Sequence, residues 1–262
     1  EGEEGRFYVW TYNEIKELLG EDTRLFCDYY NVKDKGNWEH GNNILTRQLS
    51  DTAFANKFKL DKTLLLEKVK QWKAILMQRR SSRIRPGLDD KILASWNGMM
   101  LKGLTDAYRF FGEVTFLELA EKNAIFLKEK MNVEGKLFHS YKNGKATIEG
   151  YLEDYAFVIN GYINLYEATF NEDWLQEAKQ LIDYTLEHFW DDEEQLFYFT
   201  ADNSEKLIAR KKELFDNVIP ASNSVMAHNL FKLGLLFYDE GYYQKSEAML
   251  TKIQPIIVAE PS

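Results

Sequence analysis

Apolar residues recur at helical spacing along most of the chain. Between 61 and 80, Leu64, Leu65, Val69, Trp72 and Leu76 share one face, with Asp61 placed to start the helix and Arg80 near its end. Earlier, Thr11 to Glu14 reads as a capping box, in which the Thr side chain and the Glu satisfy free backbone N–H groups, and Gly20 ends that helix. Residues 5–10 (GRFYVW) are short, aromatic and Gly-led and predict a strand. A short helix is expected over 21–31, and 32–50 reads as irregular, with Trp38-Glu39 between two glycines as a remote candidate for a site lid.

Beyond residue 94 the pattern repeats. Phe116, Trp174 and Tyr242 each follow a short polar turn (FGEVTF, FNEDW, YDEGY) and open a helix. In the preceding helices Met100, Val158 and Met226 align, as do Leu101, Ile159 and Ala227, then Leu104, Tyr162 and Leu230, and Ala107, Leu165 and Leu233. In the following helices Ala120, Ala178 and Ser246 align. Each unit is therefore helix, tight turn, helix. Gly103 and Gly161 take equivalent interior places, where close packing is expected to offset the roughly 1 kcal/mol that Gly costs a helix. Short strand signals follow the second helices: Gly135 to Tyr141 with a turn at Asn143-Gly144, and Gln195 to Thr200.

The first helix of each unit is apolar nearly all round, as in Tyr155 to Ile159, while the second is amphipathic, as in Trp174 to Lys179. Apolar on every side means buried. Buried helices inside amphipathic ones predict an all-α fold with short β-hairpins, an α/α toroid of helical hairpins forming one domain over 1–262. Because the chain opens in mid-unit and stops soon after its last helix, at 255–262, the barrel is expected to be incomplete.

Composition narrows the function classes. Forty-two acidic against 33 basic residues give a net charge of −9, which repels phosphate backbones and argues against nucleic acid as a partner. No apolar run is long enough to span a bilayer. Cys27 is the single cysteine, so a disulfide framework or a cysteine-rich zinc site is excluded, and a reducing, cytoplasmic compartment is expected. The four histidines show no metal-ligand spacing, so neither a metal nor another cofactor is assigned.

The candidate chemistry gathers at the starts of the first helices. The stretch RIRPGLDDKILASWNGMM (83–100) brings Arg85, Asp89, Asp90, Lys91, Trp96 and Asn97 together, and Pro86 forces the helix to begin after it. The repeat aligns Trp96-Asn97 with Asp154-Tyr155 and Ser222-Asn223, and Glu153, Arg210, Lys211 and Asp216 lie nearby. Carboxylates with aromatic faces and amides suit a sugar site, so Asp89, Asp90 and Asp154 are candidate acid/base groups. Arg85, Lys91, Trp96, Asn97, Glu153, Tyr155, Asp216, Ser222 and Asn223 are candidate sugar-binding residues. Several have a bland alternative: helix capping or helix-start stabilisation for Asp89, Asp90, Glu153, Asp154 and Ser222, core packing for Trp96, and an Arg210–Asp216 ion pair. His139 is read as a surface residue of its hairpin. His228, one turn deep, is the nearest histidine to a helix start, which argues against histidine-based epimerisation.

The motifs RIRPGLDDKILASWNGMM, GYLEDYAFVINGYINLYEAT and RKKELFDNVIPASNS, with EGEEGRFYVWT at the start, resemble the spermatogenesis-associated, thioredoxin-domain-containing family across essentially the whole chain. The resemblance implies a domain similar to six-hairpin glycosidases and N-acylglucosamine 2-epimerases. It also implies a thioredoxin-like domain elsewhere in the full-length chain as a partner. It supplies no reaction. Two expectations follow: a carbohydrate-processing domain with a carbohydrate ligand, or a non-catalytic glycan- or protein-binding module serving the thioredoxin-like domain.

Overall fold

The computed structural model describes residues 5–133, 135–204 and 209–259, so the first four residues of the opening motif lie outside the described residues. The chain divides into two compact units, Glu1–Asp89 and Asp90–Ser262.

The first unit contains β1 (Trp10–Thr11), α1 (Tyr12–Leu19), α2 (Thr23–Tyr30), β2 (Asn42–Asn43), α3 (Asp51–Phe58) and α4 (Lys62–Ser81). Thr11 caps α1 by accepting from Glu14 N at 3.2 Å, and Asp61 caps α4 by accepting from Leu64 N at 2.9 Å. On α4, Leu65, Val69, Trp72 and Leu76 are buried, but Leu64 turns half outward. Trp72 packs edge-on against Phe26 and donates its indole N–H to Asp22 at 2.9 Å, so this core side chain keeps its one polar atom satisfied, whereas the equally buried Trp10 indole N–H finds no partner among the described residues. Of the expected strand at 5–10 only Trp10 is in β1; residues 5–8 form a turn closed by Tyr8 N donating to Gly5 O. α3, capped by Ser50, sits just past the stretch read as irregular. Burial and the neighbouring Asp28 push the Cys27 thiol up to about 11, which makes it a poor nucleophile near neutral pH.

The second unit carries the repeat. Its elements are β3 (Ile92–Leu93), α5 (Ala94–Phe111), α6 (Val114–Phe126), β4 (Asn132–Val133), β5 (Lys136–Lys142), β6 (Lys145–Glu149), α7 (Leu152–Thr169), α8 (Glu172–His188), β7 (Trp190–Asp191), β8 (Leu196–Phe197), α9 (Ser222–Phe237) and α10 (Glu240–Ala259). Hairpins α5/α6, α7/α8 and α9/α10 stand side by side, with α7 packed between α5 and α9. The aligned outer-helix positions Ala120, Ala178 and Ser246 are all buried, and the core runs through α7 from Leu152 to Leu165. Met100 is the exception: aligned with buried Val158 and Met226, it is 58 % exposed, because α5 buries only one face. β5 lies between β3 and β4, all antiparallel, and turns into β6 through Asn143 and Gly144, both at positive φ. Among the described residues no helix is long and apolar enough to cross a membrane.

The start of α5 departs from expectation. Ile92 and Leu93 pair with Tyr141 and Ser140 of β5, so the helix begins at Ala94. Asp89 and Asp90 are several residues too early to cap it. The glycine logic also moves. Gly103 faces open space, whereas a Cβ on Gly98 would lie 2.5 Å from Phe157 C and 2.7 Å from Val158 N. On the other helix, a Cβ on Gly161 would lie 3.0 Å from Gly98 O and 2.8 Å from a Leu101 methyl. The backbones of α5 and α7 meet where neither helix has a side chain.

Side-chain amides do the same work between α7 and α9. Asn160 Nδ2 donates to Asn229 Oδ1 at 3.0 Å, Asn229 Nδ2 to Ala156 O at 2.8 Å, and Asn164 Nδ2 to Asn160 O at 2.7 Å. All three residues are buried. The turns at the far helix ends use a left-handed residue each: Gly112 (φ 72), Phe170 (φ 55) and Tyr238 (φ 55). Phe170 is 78 % and Tyr238 95 % exposed.

Gly98→Ala is expected to destabilise the chain by about 1–3 kcal/mol, since the α7 backbone must move to admit the methyl group. Gly103→Ala is expected to be neutral or stabilising by up to about 1 kcal/mol. Denaturant unfolding of both variants tests this; equal effects would refute the close approach at Gly98.

Candidate functional site

The N-terminal end of α7 is built around Asp154. Its carboxylate is fully buried and collects three donors: Ser95 N of α5 at 2.9 Å on Oδ1, and Tyr151 N and His139 Nδ1 of β5, each at 2.9 Å, on Oδ2. The Tyr151 bond belongs to a capping box on α7. Asp154 thus joins two helix starts and the hairpin. His139 is not a surface hairpin residue; it is half-buried and takes its place beside the first turn of α7. The alternation of β5 turns Leu137 into the core, and Leu137 N donates to the Tyr155 hydroxyl at 3.1 Å. His139 follows on the strip that meets the helix end.

From His139 an aromatic path runs sideways. Its ring lies 5.0 Å from that of Tyr151, and Tyr151 stacks on Phe199 at 5.0 Å and 11°. Two backbone bonds hold the path: Leu152 N to Phe199 O at 2.9 Å, and Phe199 N to Lys211 O at 2.8 Å. Lys211 Nζ sits 4.5 Å from the Phe199 ring centroid and 3.0 Å from Glu213 Oε1. Glu153, half-buried on the same turn as Asp154, completes the group. Burial first, then the charges of Asp154 and Glu213, push the Glu153 carboxyl above the usual range, against the opposing pull of His139 and Lys211. The bond to Asp154 raises the His139 imidazole, offset by burial, while Glu153 also raises it and Lys91 lowers it.

Several expected site residues are instead spent on structure. Asp154, Tyr155, Ser222 and Asn223 are buried, so they are not open sugar contacts. Tyr155 stacks on Tyr184, and Asn223 donates to Phe197 O and Glu213 O while accepting from Phe197 N, latching α9 to β8 as Asp154 latches α7 to β5. Ser222 Oγ is a buried hydroxyl with no hydrogen-bond partner among the described residues. Asp216 accepts from Ala221 N at 2.8 Å at the start of α9, and Arg210 bonds Thr200 O and His188 O rather than Asp216. Asp90 is exposed and ion-pairs with Lys142, which lowers its carboxyl and makes it a poor proton donor at neutral pH. Arg85 and Asp89 belong to the first unit; Arg85 lies 5.8 Å from the Phe7 ring centroid. Trp96 is 61 % exposed, not core, and Asn97 bonds Leu93 O at 2.8 Å. Lys91 is exposed. Trp38, half exposed, lies in the first unit and carries no lid argument.

His139, Glu153 and Asp154 place ligand atoms within 4.8 Å of one another. The Asp154 oxygens already serve three N–H donors, and a cation there would compete with those hydrogen bonds. That donor set suits hydrogen bonding better than a metal. A separate open groove between α10 and the turn at Gln195, lined by Gln244, Glu247 and Lys252, offers no ring to stack on.

No family model matches the chain. Among curated proteins it is 32 % identical to spermatogenesis-associated protein 20 of Homo sapiens and 31 % identical to that of Rattus norvegicus, each over 95 % of its length. The chain is thus similar, over nearly all of its own length, to one segment of the spermatogenesis-associated protein 20 relatives. It spans 35 % of the length of either relative. Solved structures of similar fold include an unsaturated glucuronyl hydrolase specific for heparin (TM-score 0.53, 15 % identity, 65 % of this chain and 48 % of that one). They also include cellobiose 2-epimerase of Bacillus thermoamylovorans (TM-score 0.52, 15 % identity, 64 % and 46 %) and a D-mannose isomerase (TM-score 0.52, 15 % identity, 62 % and 40 %). At these identities the likeness is one of fold: the chain takes the fold of an α/α toroid of helical hairpins.

Asp154→Ala is expected to cost about 3 kcal/mol or more, since it strands three donors. The raised His139 and Glu153 groups bind protons more tightly folded than unfolded. Their contribution is complete below the ordinary pKa of each and fades as pH rises through the folded value. Stability should therefore fall as pH rises from the ordinary carboxyl range through and past the ordinary imidazole range, less steeply in His139→Gln; parallel pH profiles for the two proteins would contradict the His139–Asp154 pairing.

Proposed function

We propose that the second unit is a carbohydrate-processing domain whose sugar contact is the strip formed by His139, Tyr151, Glu153, Phe199, Lys211 and Glu213. The observation that carries this reading is two unlike carboxyls facing one another, Glu153 in the first turn of α7 and Glu213 in the segment before α9. Glu153 is half-buried and tuned towards holding its proton, while Glu213 is ion-paired with Lys211. Glycosidic bond cleavage needs one carboxyl to protonate the leaving oxygen and another to activate water or attack the anomeric carbon. Tyr151 and Phe199 supply the adjacent aromatic surface. The fold is one that carbohydrate-processing enzymes such as those above also use, which supports the reading at the level of architecture. The acid/base pair is thus Glu153 and Glu213, in place of Asp89, Asp90 and Asp154.

The alternative, a non-catalytic glycan- or protein-binding module attached to a thioredoxin-like domain in the longer protein, is favoured by one observation. Trp96, Met100 and Phe110 leave apolar surface exposed along α5.

A panel of aryl glycosides and disaccharides should reveal turnover that falls at least about 100-fold in Glu153→Gln and Glu213→Gln, with ligand binding retained. Binding without turnover in every protein would favour the module. Turnover indifferent to both substitutions would remove these carboxyls from catalysis.

A further inference from the structure

The histidine beside α7 is left out of the two-carboxyl scheme, yet its geometry is specific. Asp154 is buried, anchored by two backbone N–H groups, and accepts from His139 Nδ1 at 2.9 Å. An oxygen already receiving Tyr151 N requires the imidazole to be the donor, so the proton of the neutral ring belongs on Nδ1. Nε2 is then the nitrogen that makes no hydrogen bond among the described residues, on a side chain that is 20 % exposed. Ring and partner thus form an oriented Asp–His pair whose free nitrogen lies at the edge of the Tyr151–Phe199 surface.

The surrounding charges restrict what that nitrogen can meet. Glu153 and Asp154 face it from α7, and Lys91 from the segment before β3. Further along the strip Glu213 faces Glu153, and the nearby Lys211 is already paired with Glu213. With the imidazole neutral and Glu153 ionised, a ligand carboxylate would find Asp154, Glu153 and Glu213 against it, opposed by Lys91 and by a Lys211 already paired with Glu213. Hydroxyl groups would find acceptors at the carboxylates and at Nε2.

We infer that His139, oriented by Asp154, is a ligand-contacting residue that accepts a hydroxyl hydrogen bond from an uncharged sugar, and that the strip discriminates against uronic acids. This rests on the carbohydrate reading of the same strip and adds to it the hydrogen-bonding role of His139 and a ligand charge. Asp154 is here a positioning residue.

Histidine-ring nitrogen NMR of the whole chain gives the test, with cellobiose, mannose and glucuronate as probes in alkaline buffer, above the raised titration of the ring, where His139 is neutral. The Nδ1–H tautomer of His139 is expected without ligand. A neutral sugar should shift the His139 Nε2 resonance, bind at least about tenfold more tightly than glucuronate, and lose about tenfold in affinity in His139→Gln. The tautomer and Nε2 shift are read on the unsubstituted protein, so a folding defect in the variant does not decide the outcome. Sugar binding that leaves His139 unmoved, an Nε2–H tautomer, or a preference for glucuronate overturns the inference and leaves the carbohydrate reading standing. Absence of binding by any of the three sugars at millimolar concentration overturns both.

Discussion

A single buried carboxylate holds the second unit in register. Asp154 receives N–H groups from the start of α5, from the cap of its own helix and from a histidine on β5. A buried carboxylate is costly unless its lone pairs are filled, so the three segments are compelled to arrive together. That demand explains the short strand before α5: Ile92-Leu93 pairs with β5, which places Ser95 N at the carboxylate. The polar strip beside it is a by-product of this convergence, because residues flanking Asp154 on each segment are brought to one edge.

The three inner helices are joined by two different devices. Between α5 and α7 the helices touch backbone to backbone at Gly98 and Gly161, where close approach leaves no space for any other residue. Between α7 and α9 a chain of buried amides fixes the spacing. The first contact is selective by size and the second by hydrogen-bond geometry, so each permits one rotational setting. Neither device is apolar matching alone, which would tolerate slippage along the helix axis.

The period of the hairpins could be read from the chain because it lies in large apolar positions: α6, α8 and α10 begin at Val114, Glu172 and Glu240, as the alignment of Phe116, Trp174 and Tyr242 requires. The candidate site was much less legible. Asp154 and Asn223 stood out as polar residues at equivalent helix starts, but a sequence shows a side chain, not the direction of its bonds, and both turned out to tie their helices to neighbouring strands. His139 was missed because it belongs to a hairpin rather than a helix start. The alternation in KLFHSYK, with Leu137 inward, was the available signal, but only the pairing of β5 with β3 carries the histidine to α7. Gly98 was passed over for Gly103 because the alignment compared glycines with glycines, whereas the contact sets Gly98 against the backbone at Phe157.

The corners of the hairpins have a different economy. Phe170 and Tyr238 hold left-handed backbones, a geometry that costs an L-residue roughly 1–2 kcal/mol, and both rings stand largely in solvent. Gly112 performs the same turn without that penalty. The helical framework therefore tolerates conformational tension at its outer bends while its inner seams allow none. For anyone wishing to harden this scaffold, the bends are where sequence can be altered without disturbing the edge where Asp154 sits.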